Sequence, residues 1–270
     1  MSEARDDATN PGVAPPVLAE VGEDGVALVT LNRPEKRNAI DLAMVEALHA
    51  ALDDLAARPS AEVRALVITG AGEKAFAGGA DIRQLRERDA LDALRGINAR
   101  LFQKVEEFPW PTVAAVRGFA LGGGSELAMA CDLRVAGEGA RFGQPESNLG
   151  ILAGAGATFR LARLVGLGRA KELLLTGRII DAAEAERIGL VNRVVADGEV
   201  VEAARALART MAERAPLAQR LTKLAMNTHA RGGDPAVLDM LAQGMLFESE
   251  DKREGMDAFL EKRPPRFRGK

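Results

Sequence analysis

Two glutamates and a run of glycines are the residues of this chain best suited to chemistry. Gly122-Gly123-Gly124-Ser125-Glu126 leaves backbone N–H groups unshielded where an apolar helix is predicted to start, with a carboxylate in its first turn. A second carboxylate, Glu146, follows twenty residues later within Gln144-Pro145-Glu146. Backbone donors can face a developing oxyanion, and two carboxylates can take and give a proton. Together these are the parts needed for chemistry beside a carbonyl.

Each part has a plainer reading when taken alone. A bare Gly-Gly-Gly is first a tight helix start that needs close packing. It does not fit a dinucleotide loop, which would read G-x-G-x-x-G, nor a phosphate loop, which would need Gly-Lys-Ser/Thr. Two further glycine-rich segments are Phe76-Ala77-Gly78-Gly79-Ala80-Asp81-Ile82-Arg83 and Gly150-Ile151-Leu152-Ala153-Gly154-Ala155-Gly156-Ala157. Small residues in both allow a ligand to approach the backbone, and the N–H of Ala80 could donate. Three such turns in one chain weigh against coincidence. Glu126 stands out because Ser-Glu-Leu-Ala-Met-Ala-Cys is otherwise small and apolar. A carboxylate there is expected to be partly buried and to need a partner. Burial raises a carboxylate pKa, while the positive end of a helix lowers it.

Other reactive residues offer less. The single cysteine, Cys131, lies in an apolar helical run and reads as a small buried side chain. It excludes an intrachain disulfide and fits a reducing compartment. The two histidines, His49 and His229, each fall within a helical pattern with no flanking motif. Counting alone leaves a Ser-His-Asp triad possible, but the histidines read as structural, and no His/Cys group has zinc-ligand spacing.

The elements that must position these residues alternate. Val26–Leu31, Ala65–Thr69, Val113–Val116 and Leu133–Ala136 read as strands, several of them wholly apolar and so buried on both faces. Asp41 is the expected N-cap of a helix with Val45, Leu48, Leu52 and Leu55 at helical spacing. Another helix is predicted to carry Leu94, Leu101, Val105 and Phe108 as far as Pro109. The pattern is α/β with mostly parallel pairing. From Val200 to Leu260 the spacing is helical, and Leu238, Met240, Leu241, Met245, Leu246 and Phe247 crowd together. Their expected destination is the chain's own core or, as the sharper reading, another subunit. The predicted organisation is a loose arm over 1–16, an α/β core over 17–200 and a helical region over 201–270.

Composition limits the classes further. At 270 residues and 47% apolar, the chain can bury a sizeable core. A net charge of −3, with no Lys/Arg cluster interleaved with aromatics, argues against nucleic acid as a partner. No apolar run is long enough to span a bilayer, and the acidic first residues lack the features of a signal or transit peptide. The expectation by elimination is a cytoplasmic protein.

The four segments FAGGADIR (76–83), TVAAVRGFALGGGSE (112–126), CDLRVAGEGARFGQPESNLG (131–150) and GAGATFRLARLVGLG (154–168) resemble the enoyl-CoA hydratase (crotonase) family in order and spacing. The likeness runs from about residue 20 to the C-terminus. It implies a spiral of β-β-α turns followed by a helical C-terminal region that mediates trimerisation, with a homotrimer or a homohexamer of two stacked trimers.

By position, the resemblance makes Ala80 and Gly123 the backbone donors to the thioester oxygen and Glu126 and Glu146 the catalytic pair. Gly154 becomes a donor near the catalytic water. Contacts to coenzyme A fall to Ala77, Asp81, Ile82 and Arg83, and from the tail to Phe259 and Lys262. The implied reaction is reversible addition of water across a 2-enoyl-CoA, in fatty-acid or related acyl-CoA degradation. Glu126 is read as the base on water and Glu146 as the acid, with no metal and no cofactor beyond the coenzyme A of the substrate. A Δ3,Δ2-enoyl-CoA isomerase, or another enolate-forming member, is the alternative; an RNA-binding relative is a more distant one. The chain departs from common hydratases at Ala153, Ala157 and Phe159, where Pro, Gly and Gln are frequent, and at polar Ser147-Asn148. These positions are expected beside the acyl pocket or its support.

Overall fold

The computed structural model describes residues 14–233 and 235–270. The arm predicted over 1–16 therefore lies outside the described residues up to 13, and strand β1 (Val17–Val21) begins soon after. The chain continues through β2 (Val26–Leu31), α1 (Leu42–Ala57), β3 (Ala65–Gly70), β4 (Ala75–Ala77), α2 (Ile82–Glu87), α3 (Ala90–Arg95) and α4 (Ile97–Glu106). Next come β5 (Thr112–Val116), β6 (Phe119–Leu121), α5 (Gly123–Ala130), β7 (Leu133–Gly137) and β8 (Arg141–Gly143). After these, α6 (Ala157–Val165), α7 (Leu167–Thr176), β9 (Ile180–Asp181), α8 (Ala182–Arg187) and β10 (Arg193–Val195) complete the strand-bearing part. Four helices follow: α9 (Val200–Ala212), α10 (Pro216–Ala230), α11 (Pro235–Phe247) and α12 (Glu250–Glu261).

The strands form two sheets, in the orders β1-β2-β3-β5-β7-β10 and β4-β6-β8-β9. In the first, only the β1–β2 hairpin is antiparallel; the rest are parallel. Every residue of β3 and β5 is buried, which accounts for sequences that are apolar apart from Thr69 and Thr112. One face of this sheet packs on a core that includes Leu48, Leu52 and Phe102. The other face is covered by Val200, Ala204, Ala208 and Ala212 of α9, one residue per helical turn. Removing a side chain such as Leu52, fully buried, costs about 2–5 kcal/mol in a core of this kind.

The second sheet sets the site. Three strands of the first sheet each hand on to a short strand of the second: β3 to β4, β5 to β6, and β7 to β8. Strands β4, β6 and β8 are mutually parallel, so their C-terminal ends lie side by side. The chain leaves β4 into Gly78–Ala80, β6 into Gly122–Gly123, and β8 into Gln144–Glu146. Parallel register thus gathers segments that are far apart in sequence.

Local chemistry secures the elements. Asp41 caps α1 by accepting from the Met44 N–H at 3.0 Å, as its sequence position predicts. The helix expected from Leu94 to Phe108 is instead two, broken at Gly96 with φ 61. Leu94 consequently lies on the exposed α3 rather than on the buried face of α4. Asp89, three residues before Asp92, forms a capping box that starts α3 independently.

Candidate active site

Helix α5 is buried along its whole length, and it presents its N-terminus to a 510 Å³ cavity. Gly124 permits its seating, because a Cβ there would fall 2.0 Å from the Ala77 carbonyl oxygen on β4. Gly122, before the helix, has φ 50 and ψ −122, a conformation suited to glycine. The Gly123 N–H is one of the first donors of the helix and so lacks an intrahelical acceptor. The Ala80 N–H lies close by, 3.6 Å from where a Gly123 Cβ would stand. Neither N–H is bonded to a described acceptor. Both residues line the cavity. Two free backbone donors on one small volume can receive a developing negative charge.

Glu126 sits one turn into α5 and is buried, at 3% exposure. Its Oε1 accepts from the N–H groups of Ala155 and Ala157, at 2.8 and 3.0 Å. No hydrogen bond to Oε2 is seen among the described residues, and the side chain borders the cavity. Burial raises its pKa above the ordinary carboxylate range; the backbone donors and the Arg160 guanidinium oppose that rise.

Glu146 follows β8 on a 3₁₀ turn, Pro145–Leu149, and also lines the cavity. Desolvation and the nearby Glu126 push its pKa up to about 7, against the smaller pull of its own backbone N–H. Beside it stands the buried Gln144. With its amide nitrogen toward the carboxylate, Gln144 donates to Oε2 and Oε1 of Glu146 at 3.1 and 3.3 Å. The site therefore holds one carboxylate with an oxygen tied to backbone and another whose pKa is raised, chiefly by burial.

The remaining sequence candidates divide. Gly154 and Ile82 line the cavity. Ala77 is fully buried, its carbonyl against Gly124, so its side chain borders no ligand space. Asp81 is used as the N-cap of α2, accepting from the N–H groups of Arg83 and Gln84. Arg83 is exposed on α2. Phe259, 83% exposed, borders a separate 570 Å³ apolar cavity in the tail, and Lys262 is the exposed C-cap of α12. The tail residues do not meet the glutamates within one chain. Phe159 lies outside the cavity lining, its ring under the guanidinium groups of Arg160 and Arg163 at 4.8 and 5.0 Å. Cys131 is buried and its thiol is pushed up to about 12, so it is a packing residue. His49 is remote from the cavity, on α1 beside Lys104.

Three participants escaped sequence reading. Gln144 was visible only as a neighbour of Glu146, Arg160 resembled any charge on an amphipathic helix, and Asn98 carried no motif. Asn98 lines the cavity beside Gly123, and its buried Oδ1 has no hydrogen-bond partner among the described residues.

Comparison with known proteins gives concordant results. The family model described as enoyl-CoA hydratase/isomerase matches residues 22–270. The short-chain-enoyl-CoA hydratase of Clostridium acetobutylicum is 43% identical over 245 residues, covering 89% of this chain and 93% of that protein. The crotonyl-CoA hydratase of Syntrophomonas wolfei is 42% identical, covering 91% and 95%. The crystal structure of enoyl-CoA hydratase from Bacillus anthracis superposes with a TM-score of 0.89 at 37% identity, covering 94% of this chain and all of that one.

Proposed function

The chain belongs to the enoyl-CoA hydratase/isomerase family, and from that premise we propose that it adds water reversibly across the 2,3 double bond of a 2-enoyl-CoA. The observation that carries this reading is the meeting of the Ala80 and Gly123 N–H groups with both Glu126 and Glu146 on one cavity. Relatives named short-chain-enoyl-CoA and crotonyl-CoA hydratase support it.

Attack of water at C3 moves electron density onto the thioester oxygen, giving enolate character. The two N–H groups receive that charge without having to reorganise; one such donor is worth about 3–4 kcal/mol of barrier. Glu126, with Oε1 held by two backbone donors, keeps Oε2 for water and takes its proton. Glu146, in its protonated form, delivers a proton to C2 as the enolate collapses. Dehydration reverses both roles. Ile82, Leu85, Ile97, Leu149, Ile151 and Leu152 provide apolar walls for the acyl group and the pantetheine arm.

The second carboxylate distinguishes hydration from simple isomerisation, for which one base suffices. Purified protein incubated with crotonyl-CoA and longer 2-enoyl-CoAs should lose the enoyl thioester absorbance and yield 3-hydroxyacyl-CoA. Faster conversion of a 3-enoyl-CoA than hydration of any 2-enoyl-CoA would replace this reading with the isomerase.

The proposed assembly is a homotrimer, or two stacked trimers, with the tail at the contacts. Met240, Leu241 and Met245 of α11 are 69%, 61% and 59% exposed, and Phe259 and Leu260 of α12 are 83% and 77% exposed. A neighbouring tail would bring Phe259 and Lys262 toward the coenzyme A of an adjoining cavity. Light scattering that gives a monomer at micromolar concentration would reject the assembly. The metabolic role fitting such chemistry is acyl-CoA degradation in the cytoplasm. No helix among the described residues is long and apolar enough to cross a membrane.

A further inference from the structure

The loop Ala155–Ala157 supplies both hydrogen bonds to Glu126 Oε1, so whatever holds this loop also holds the carboxylate. The Ala155 carbonyl lies between the two donating peptides, and it accepts from Nη1 of Arg160 at 2.9 Å. The guanidinium is buried, with its side chain 5% exposed. The loop wraps it closely enough that a Cβ on Gly156 would fall 2.0 Å from Nη1.

Arg160 is in turn clamped. Its Nη2 and Nε donate to Glu106 Oε2 on α4 at 2.5 and 3.2 Å. Glu106 also meets Arg231, after α10, at 3.2 Å and Arg163 at 4.0 Å. A planar guanidinium held on one edge by a carboxylate presents its other edge in a set direction.

We propose that Arg160, clamped by Glu106, is a positioning residue that fixes the Ala155–Ala157 loop and thereby sets the orientation and ionisation of Glu126. Arg160 touches no reacting atom in this arrangement; it acts through the loop and through its charge. The charged groups acting on Glu126 are Arg160 from α6 and Glu146 from the turn after β8. Glu106 faces Arg160, and Arg163 and Arg231 meet Glu106 in turn. Arg160 favours the ionised form of Glu126, so loosening it raises the pH at which Glu126 becomes a base.

For its kinetic consequence the inference rests on Glu126 being the water-activating base; for the carboxyl itself it rests on the loop geometry and on the Arg160 charge. The test uses Arg160→Lys, Glu106→Gln and Glu126→Gln in the full chain, with circular dichroism confirming the fold. Carbon-13 labelling of glutamate carboxyls, with Glu126→Gln assigning the resonance, follows the titration directly. Arg160→Lys should move the Glu126 midpoint to higher pH; Glu106→Gln loosens the clamp but also removes a negative charge, so it should change the midpoint in either direction. With crotonyl-CoA, kcat should fall roughly ten- to a hundredfold at a nearly unchanged KM. The acid limb of the rate profile should follow the carboxyl midpoint in each variant. In the Glu126→Gln background, Arg160→Lys should add almost nothing, because the two act as one unit.

An unmoved carboxyl midpoint in both variants, or full additivity with Glu126→Gln, would overturn the proposal. If Arg160→Lys fails to fold, Glu106→Gln carries the same readouts with the arginine retained. If the unmodified protein hydrates no enoyl-CoA, the functional reading fails while the carboxyl titration still decides this inference.

Discussion

Gly122 and Glu146 share one space: a Cβ on Gly122 would stand 2.6 Å from Oε1 of Glu146. The missing side chain before α5 is what lets the second carboxylate reach the cavity. Gly122→Ala should displace Glu146 and also strain a φ of 50, at a cost of about 1–3 kcal/mol. The expected result is a lowered melting temperature with a larger loss in kcat than in KM. Thermal melts and steady-state hydration assays on the same preparation check this.

Glu126→Gln and Glu146→Gln each remove one proton-transfer group with little change in volume. Each should lower kcat by roughly 10²–10⁴ while substrate binding persists. Activity retained in either variant removes the role assigned to that glutamate. Isothermal titration with a saturated acyl-CoA separates lost binding from lost chemistry.

The pH dependence has a definite sign. The proposed roles have Glu126 ionised and Glu146 protonated, so the rate profile should be bell-shaped, with limbs that belong to the coupled pair. Its basic limb should fall near 7, where Glu146 loses its proton. Stability follows the same linkage. Glu146 is raised from 4.5 in the folded state, so its proton stabilises the fold below the ordinary carboxylate range, and that stabilisation is lost as pH rises toward 7. Glu146→Gln should therefore raise the melting temperature more at pH 8 than at pH 5.

The backbone donors can be tested without touching a carboxylate. Ala80→Pro deletes one N–H and should cost roughly 10²–10³ in kcat, with the circular dichroism spectrum unchanged. A rate within a few-fold of the unmodified protein would exclude the Ala80 N–H from the oxyanion site.

The tail makes a separate claim. Phe259→Ala should raise KM for an enoyl-CoA but leave turnover of a truncated enoyl-pantetheine thioester unchanged. Leu241→Arg should shift the species seen by light scattering toward monomer, because a charge would then be buried against a neighbouring apolar face. An unchanged assembly in Leu241→Arg would place the subunit contact elsewhere.

Much of this was legible in the residues. The runs at 65–69 and 113–116, apolar except for Thr69, became strands buried on both faces, since a strand without alternation has no polar side to give to water. Asp41 announced a helix start. The break at Gly96 is not legible in the pattern, because apolar spacing runs on across it and does not register a single left-handed residue. The apolar crowd at 238–247 could be read as either core or contact, and in the chain Met240, Leu241 and Met245 face outward.

The sequence by itself determined the inventory: two glutamates in unusual settings, glycines that unshield backbone donors, and a motif order marking the family. Tertiary structure decided their relations. Ala80, Gly123 and Glu146 meet because β4, β6 and β8 run parallel and end together, and parallel pairing is a long-range fact that no local pattern contains. The state of Glu126 depends on peptides at Ala155 and Ala157 and on the Arg160–Glu106 pair behind them. A carboxylate's pKa is set by the dipoles, charges and solvent that the fold arranges around it, and only their position in space, not their place in the chain, determines that sum.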